Sequence, residues 1–427
     1  MQDLPAILVI GQGFRPQLLS TPRDLGFRVV LLDSGKPADQ SLYDDHIEAS
    51  AVDAEAALGA VRGYISSGHK ISAVACFFEG SLHVAAEISK ELGLPGNSPE
   101  TVRNMRDKLQ TWHILSRAGI PTPRTALADS ASAALKAAEE IGYPVIVKPQ
   151  ASAASQGVIK AHDAHELAQS FALVSELFNT TSFGSGRACI PNIGQSLFYP
   201  DAHGVLIQEY IEGFEVCVDI IYSHGQFSVL GIVDKPQTWE EPYFPEYMFV
   251  APSHLPAASQ ATICDISVRA LQAMGATAGA AHVELRVSAE GPKVIEVNGR
   301  IGGPSILLQE TLQSVTGRWG PAEYINVITG SPVCDEPPPR RTAGFASLPV
   351  ERPGRIVRFD GEDKVRALPG VATIQWAKRI GQIIPEGYPR NPSVMFAHVM
   401  VVGESWPEVV ETLEDVRLTL RAVTANP

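Results

Sequence analysis

The chain has 427 residues, 45% of them hydrophobic, with 36 glycines and a formal net charge of −13. That length exceeds what one hydrophobic core fills and implies two to four domains, in a composition typical of globular rather than disordered or fibrous proteins. The acidic balance argues against a broad nucleic-acid surface, which needs clustered Lys and Arg, but leaves room for a local basic pocket.

Five cysteines (Cys76, Cys189, Cys217, Cys264, Cys334) lie far apart with no C-x-x-C pair, so free buried thiols in a reducing compartment are expected. The N-terminus lacks a basic n-region and a cleavage site, and no apolar run reaches membrane length. A cytoplasmic protein without a membrane partner is expected.

In chain order, apolar runs at Ala6–Ile10, Phe27–Leu32 and Val74–Phe78 alternate with helical patterns such as Leu82–Leu92. Alternation of this kind predicts a parallel sheet with crossover connections. Gly11-Gln-Gly13 with Asp33 downstream hints at a dinucleotide fingerprint, but Pro16 stands where its third glycine belongs. Gly119–Arg124 reads as a linker, followed by a helix over Ser130–Ile141 and a short strand, Tyr143–Pro149, with Lys148 near its end. Two glycine-containing loops follow, at 150–157 and 180–203. Hairpins are predicted over 214–233 and 281–297, each with turn residues between β-branched runs. Asp335–Arg341 is a proline-stiffened linker, beyond which lie strands at 344–350, 372–377 and 394–402 and a helix over 406–423.

The 281–297 hairpin carries the sharpest chemical signal. With its turn centred on Glu290, Glu284 faces Glu296 and His282 faces Asn298, and all four project from one side of the sheet. Opposed like charges are destabilising unless a cation lies between them, and hard oxygen donors suit Mg²⁺. The expectation is that one carboxylate titrates above the usual glutamate range without metal, and that Glu296→Gln leaves the metal-free fold as stable as before or slightly more so. Arg300 follows in the glycine-rich turn Asn298-Gly-Arg-Ile-Gly-Gly303, where its planar fork suits a transferring phosphoryl group.

With these segments the central region resembles the ATP-grasp superfamily, in its carboxylate–amine (L-amino-acid ligase and carnosine-synthase-like) branch, over roughly residues 1–330. Arg106-Asp-Lys108 and Val145-Ile-Val-Lys-Pro149 resemble its two lysine motifs, which implies that Lys108 and Lys148 contact nucleotide phosphates. The resemblance places Ser155, Gln156 and Gly157 in the phosphate-covering loop. Gln208, Glu209, Tyr210 and Ile211 fall in the adenine-binding segment, with Glu215 on the ribose. It implies Glu284, Glu296 and Asn298 as ligands of Mg²⁺, two ions with Mn²⁺ as a substitute, and Arg300 as the catalytic cation. Glu246 falls in the segment that approaches the amino-acid substrate, and His282, Gly303 and Pro304 also border that site; Pro304 stands near where some dipeptide ligases carry a bulky aromatic.

The implied protein is an α/β and α+β multidomain chain: an N-terminal parallel-sheet domain (1–117), a small lobe (118–203), a large lobe with the metal site (204–334) and a small C-terminal α+β domain (335–427). It is expected to join a small amino-acid-like carboxylate to an amine through an acyl phosphate, with release of ADP and phosphate, and to form a homodimer. A P-loop nucleotidase and a serine hydrolase are disfavoured, since neither G-x-x-x-x-G-K-[ST] nor G-x-S-x-G occurs. A non-catalytic nucleotide sensor is disfavoured because all three ligand positions are filled. The remaining alternative is an ATP-grasp enzyme of purine biosynthesis or of the biotin-carboxylase type.

Overall fold

The computed structural model describes residues 4–11, 16–35, 39–152, 155, 157–179, 204–236, 244, 246–303, 306–334, 341–384 and 395–425. The expected loop at 180–203, the linker through 335–340, Gln156, Pro304 and Cys189 lie outside them.

The N-terminal region begins with four parallel strands, β1 (Ala6–Ile10), β2 (Arg28–Asp33), β3 (Asp45–Glu48) and β4 (Ala73–Ala75), in the order β3-β2-β1-β4. All five side chains of β1 are buried, as a parallel strand covered on both faces requires. At β3 only Ile47 is buried, so this polar edge strand leaves no apolar run to detect. The run expected at 74–78 pairs only through Ala75 and then turns into a short 3₁₀ helix at Glu79–Ser81, which leads into helix Leu82–Leu92. Gly11 has φ +63°, and a side chain there would meet Ala51 Cβ at 2.9 Å. Its glycine serves a tight turn, which accounts for half of the dinucleotide-like string without a dinucleotide.

An antiparallel sheet of β5 (Thr125–Ala128), β6 (Val145–Pro149), β7 (Ile159–Ala161) and β8 (Val205–Glu209) follows, in the order β5-β8-β6-β7. Val145, Val147, Ile159 and Ile207 pack in one apolar cluster with Ala134, Ala138, Leu167 and Val174 of helices Ala131–Ile141 and Ala164–Asn179.

The largest sheet contains β9 (Phe214–Ser223), β10 (Gln226–Lys235), β11 (Met248–Ala251), β12 (Ala278–Ser288) and β13 (Gly291–Asn298). Three of the strands beyond residue 341, β14 (Thr342–Pro349), β16 (Val371–Trp376) and β18 (Met395–Gly403), join it, giving the order β13-β12-β9-β10-β11-β14-β18-β16. Strands from both sides of residues 335–340 therefore share one hydrogen-bonded sheet. A small sheet of β15 (Gly354–Asp360), β17 (Ile383–Ile384) and β19 (Arg421–Ala425) completes the fold. The last helix ends at Thr419, and residues 421–423, expected to continue it, are in β19 instead, which pairs with β15 at the edge of the small sheet.

The architecture is the expected mixture, a parallel sheet first and antiparallel sheets after it. Cys76 and Cys217 are buried free thiols as anticipated, whereas Cys264 is partly exposed and Cys334 is exposed. No described helix is long and apolar enough to cross a membrane.

Candidate active site

The site is built on one face of β10-β9-β12-β13. Across these strands Lys235 lies opposite Glu215, Glu215 opposite Arg286, and Arg286 opposite Lys293. Two residues along, Cys217, Glu284 and Glu296 are in register, and the next row holds Asp219, His282 and Asn298. The expected pairs, Glu284 with Glu296 and His282 with Asn298, are present. Their turn is tighter than expected, because Ser288 already pairs with Gly291. A bulge between Val294 and Glu296 adds the residue that restores the register, and it keeps Lys293 and Glu296 on the same face.

Each of the two opposed glutamates has its own lysine. Glu296 Oε1 is 3.2 Å from Lys108 Nζ, and Glu284 Oε2 is 3.2 Å from Lys235 Nζ. Lys235, absent from the sequence-based site, is buried and also meets Glu215 at 2.8 Å and Glu246 at 3.2 Å. Burial alone would neutralise this ammonium, but Glu215, Glu284 and Glu246 together hold it charged, well above the ordinary lysine range. Burial likewise opposes the charge on Glu284, yet Lys235 and His282 outweigh it and press its pKa well below the usual carboxylate value. The anticipated raised carboxylate within the opposed pair is thus not found at Glu284, because lysines rather than empty space face the pair. The carboxyl pushed upward is Glu246, chiefly by burial and further by Glu284, with Lys235 opposing.

Behind this row, Asp219 organises the turn that follows β13. Its Oδ1 lies 2.6 Å from His282 Nδ1, while its Oδ2 accepts from Gly302 N at 2.9 Å and Gln309 Nε2 at 2.6 Å. The other His282 nitrogen is 3.5 Å from Glu284. A Cβ on Gly302 would sit 2.1 Å from His282 Nδ1, so only glycine lets the turn come this close. Burial disfavours the imidazolium, but Cys217 and Asp219 more than offset it, and the His282 pKa lies well above its ordinary value.

The cleft itself lies between this face and the β5-β8-β6-β7 sheet, lined by Lys148, Ser155, Gln208, Glu209, Tyr210, Ile211, Glu215, Phe244, Glu246, Glu284, Arg286 and Glu296 among others. Lys148 is buried at the end of β6; burial, reinforced by Lys108, lowers its pKa to about 8. Lys108 also donates to Ser152 O at 3.0 Å, tying the first lysine to the start of the 151–157 loop. Gly157 has φ +74°, and Gln156 is outside the described residues. Along the adenine-like segment, Gln208 donates to Thr125 Oγ1 at 2.8 Å, and Glu209 Oε1 lies 3.4 Å from Lys293 Nζ across the cleft. Arg286 donates to the carbonyls of Ile211 and Gly213 at 2.8 and 2.7 Å and to Glu215 at 3.1 Å, clasping the strand crossover. The Tyr210 ring carries Lys160 Nζ at 3.9 Å from its centroid.

Asn298 is buried beyond Glu296. Arg300 is not gathered into the cleft lining but ion-pairs with Glu79 of the N-terminal region, Nε to Oε2 at 2.8 Å. Gly303, with φ +118°, ends the described part of that turn, and Pro304 lies outside it. Sequence reasoning missed Lys235, Arg286, Asp219 and Glu79. Arg286 would have emerged from following the face of β12 two residues beyond Glu284, whereas Lys235 is brought opposite Glu215 by a bulge in β10.

No group of three or more His, Cys, Asp or Glu forms a metal cluster among the described residues. Two carboxylates and an amide on adjacent strands nevertheless fit a hard divalent ion that keeps waters and shares phosphate oxygens.

An ATP-grasp domain model matches residues 141–307, a second ATP-grasp model matches 98–165, and the L-amino acid ligase C-terminal domain 2 matches 346–425. The chain is 27% identical over 353 residues to protein y4rH of Sinorhizobium fredii, covering 81% of this chain and 68% of that one. It is 27% identical over 244 residues to carnosine synthase 1 of Homo sapiens, covering 55% of this chain but only 28% of that protein. The crystal structure of L-amino acid ligase from Bacillus licheniformis superposes with a TM-score of 0.79 at 23% identity over 100% of both chains, a likeness of fold.

Proposed function

Because the chain belongs to the ATP-grasp superfamily and ends in an L-amino acid ligase C-terminal domain, we propose that this ligase joins a small amino-acid-like carboxylate to an amine at the expense of ATP. The observation that carries the reading is the charged face itself: Glu284 opposite Glu296, Asn298 in the next row, Lys108 against Glu296 and Lys148 lining the same cleft, with Arg300 on the adjoining turn.

In this reading the adenine is held by the backbone of Gln208–Ile211 and the ribose by Glu215. Lys108 and Lys148 face the phosphates. Glu284, Glu296 and Asn298 hold the divalent cations, which when bound neutralise charge on the phosphate oxygens. The substrate carboxylate oxygen attacks the γ-phosphorus; that P–O bond forms as the bond to the ADP oxygen breaks. The amine then attacks the acyl carbon, a C–N bond forms, phosphate leaves and the amine gives up a proton. Arg300 offsets the charge on the transferring group. Glu246 is assigned to the substrate ammonium, which would take over part of the contact that Lys235 makes at 3.2 Å. Residues 1–117, 118–203, 204–334 and 335–427 are the corresponding functional units, in a cytoplasmic homodimer.

The test is a matrix of amino acids against amines, with bicarbonate and phosphoribosyl amines as further acceptors, read by ADP release and product mass. The expected result is ADP and phosphate, with ¹⁸O from the labelled acid in the phosphate. AMP and pyrophosphate, or turnover only with bicarbonate or a phosphoribosyl amine, would overturn the reading.

A further inference from the structure

Glu79 lies 221 positions before Arg300 in the chain and is 4% exposed. It follows the carboxyl end of β4, the end of a parallel strand at which α/β sheets place ligand-facing groups. Its two carboxylate oxygens face different arginines. Oε2 is 2.8 Å from Arg300 Nε, and Oε1 is 3.8 Å from Nη1 of the buried Arg106, which also donates to the Glu79 carbonyl.

Arg300 Nη1 donates to Ile301 O at 2.9 Å. Nη1 is thus held by a hydrogen bond and Nε by an ion pair with Glu79 Oε2, a buried oxygen with no hydrogen-bond partner among the described residues, and the two contacts together restrict where the guanidinium sits. Among the described residues, Nη2 has no protein hydrogen bond. The backbone is held from the same side: a Cβ on Gly299 would lie 3.1 Å from Met105 Sδ, so helix Pro99–Arg106 abuts the turn that carries Arg300.

We infer that Glu79 is a positioning residue, contributed by the N-terminal region, that sets the Arg300 guanidinium so that its remaining nitrogen serves the transferring phosphoryl group. The inference rests on the ligase reading above. Were Glu79 present only to neutralise Arg106, its nearer oxygen would have no need of Arg300. A catalytic cation misplaced by about 1 Å loses on the order of a hundredfold in rate, so a carboxylate that holds it has a measurable effect without touching substrate.

The experiment is a double-mutant cycle of wild type, Glu79→Gln, Arg300→Lys and the double variant, each first shown folded by thermal melting. Glu79→Gln is expected to lower kcat by about ten- to a hundredfold and to move the KM for ATP less than about threefold. In the Arg300→Lys background the same change is expected to cost less than about threefold, since the group it positions is already gone. An unchanged kcat in Glu79→Gln, or an equal loss in both backgrounds, overturns the inference. If Glu79→Gln does not fold, Glu79→Asp, which keeps the charge and withdraws it by one methylene, carries the same cycle. If wild type releases ADP with no pair of substrates, the ligase reading fails by itself. The cycle is then scored as the gain in melting temperature on adding Mg²⁺ with a non-hydrolysable ATP analogue, and additive gains overturn the role of Glu79.

Discussion

Lys108 and Lys235 change what substitution of the opposed glutamates does. Without metal, Glu296 neutralises Lys108, whose side chain is only 6% exposed. Glu296→Gln therefore leaves that buried ammonium less compensated, and the metal-free fold is expected to lose about 1 kcal/mol, a small figure because Glu296 is itself partly solvated. The sign is opposite to the gain that mutual repulsion of an unpaired Glu284 and Glu296 would give, because each faces a lysine. Activity is expected to fall a hundredfold or more, on the order of other metal-site losses. Melts in EDTA and rate assays with Mg²⁺ and ATP read the two effects, and a variant more stable than wild type would contradict the lysine pairing. Lys148 gives a second prediction. Burial lowers its pKa from 10.5 to about 8, so between these values the unfolded chain holds a proton that the folded chain has lost. Its contribution to stability therefore rises with pH across that window and is least below it. Phosphates beside it favour the ammonium, so nucleotide binding at pH 8 is expected to take up about half a proton. Calorimetry in buffers of different ionisation enthalpy checks this, and Lys148→Met should abolish the uptake.

At the scale of elements, the turn after β13 depends on the space that Gly302 leaves for His282 and Asp219. Gly302→Ala puts a methyl within 2.1 Å of His282 Nδ1 and 2.7 Å of Asp219 Oδ1. Both are buried parts of the sheet with little room to yield, so a loss of about 1–3 kcal/mol is expected, together with a fall in kcat as Arg300 shifts. Thermal melts and steady-state rates decide it; an unperturbed kcat would separate the turn from the chemistry. The hairpins also show how far the sequence could be read. The acidic pairs of β12 and β13 were legible because the strand alternation fixed which residues share a face, even though the turn was placed one residue too long and a bulge made up the difference. In β9 and β10 a comparable bulge between Val229 and Gly231 shifts the pairing, so that Lys235 rather than Asp234 lies opposite Glu215. A simple count from the His224-Gly225 turn would have matched Glu215 with Asp234. Bulges are set by tertiary packing, not by a local residue pattern, and Lys235 was hidden for that reason. Asp219 and Glu79 were hidden for another: each acts on a residue 63 or more positions away, beyond any local period.

Across the whole molecule, the strands after residue 341 complete a sheet begun before residue 300. β14 pairs with β11 along Met248–Ala251, and Phe345 stacks on Phe249 with centroids 4.8 Å apart. Ala343, Phe345 and Met400 sit in the same apolar cluster as Ile301, Leu307 and Leu312. A chain cut after residue 334 is expected to aggregate, since it exposes both the edge of β11 and this core, and the intact protein should lose β9–β18 in one cooperative transition. Expression of residues 1–334 and calorimetry of the full chain test this, and a soluble, folded fragment would refute it. The arrangement also bears on the order in which the protein is made. During synthesis the strands that carry the glutamate face are finished before the strand that closes the open edge of β11, and β18, the next neighbour, comes later still. From the completion of β11 at Ala251 to the arrival of β14 at Thr342, roughly a fifth of translation, the nascent chain thus carries an unsatisfied, apolar strand edge, of the kind that recruits chaperones or other unfinished copies. Slow decoding of the region around 335–403 would lengthen that interval, so codon choice in the last quarter of the message should govern soluble yield more than codon choice in the first half.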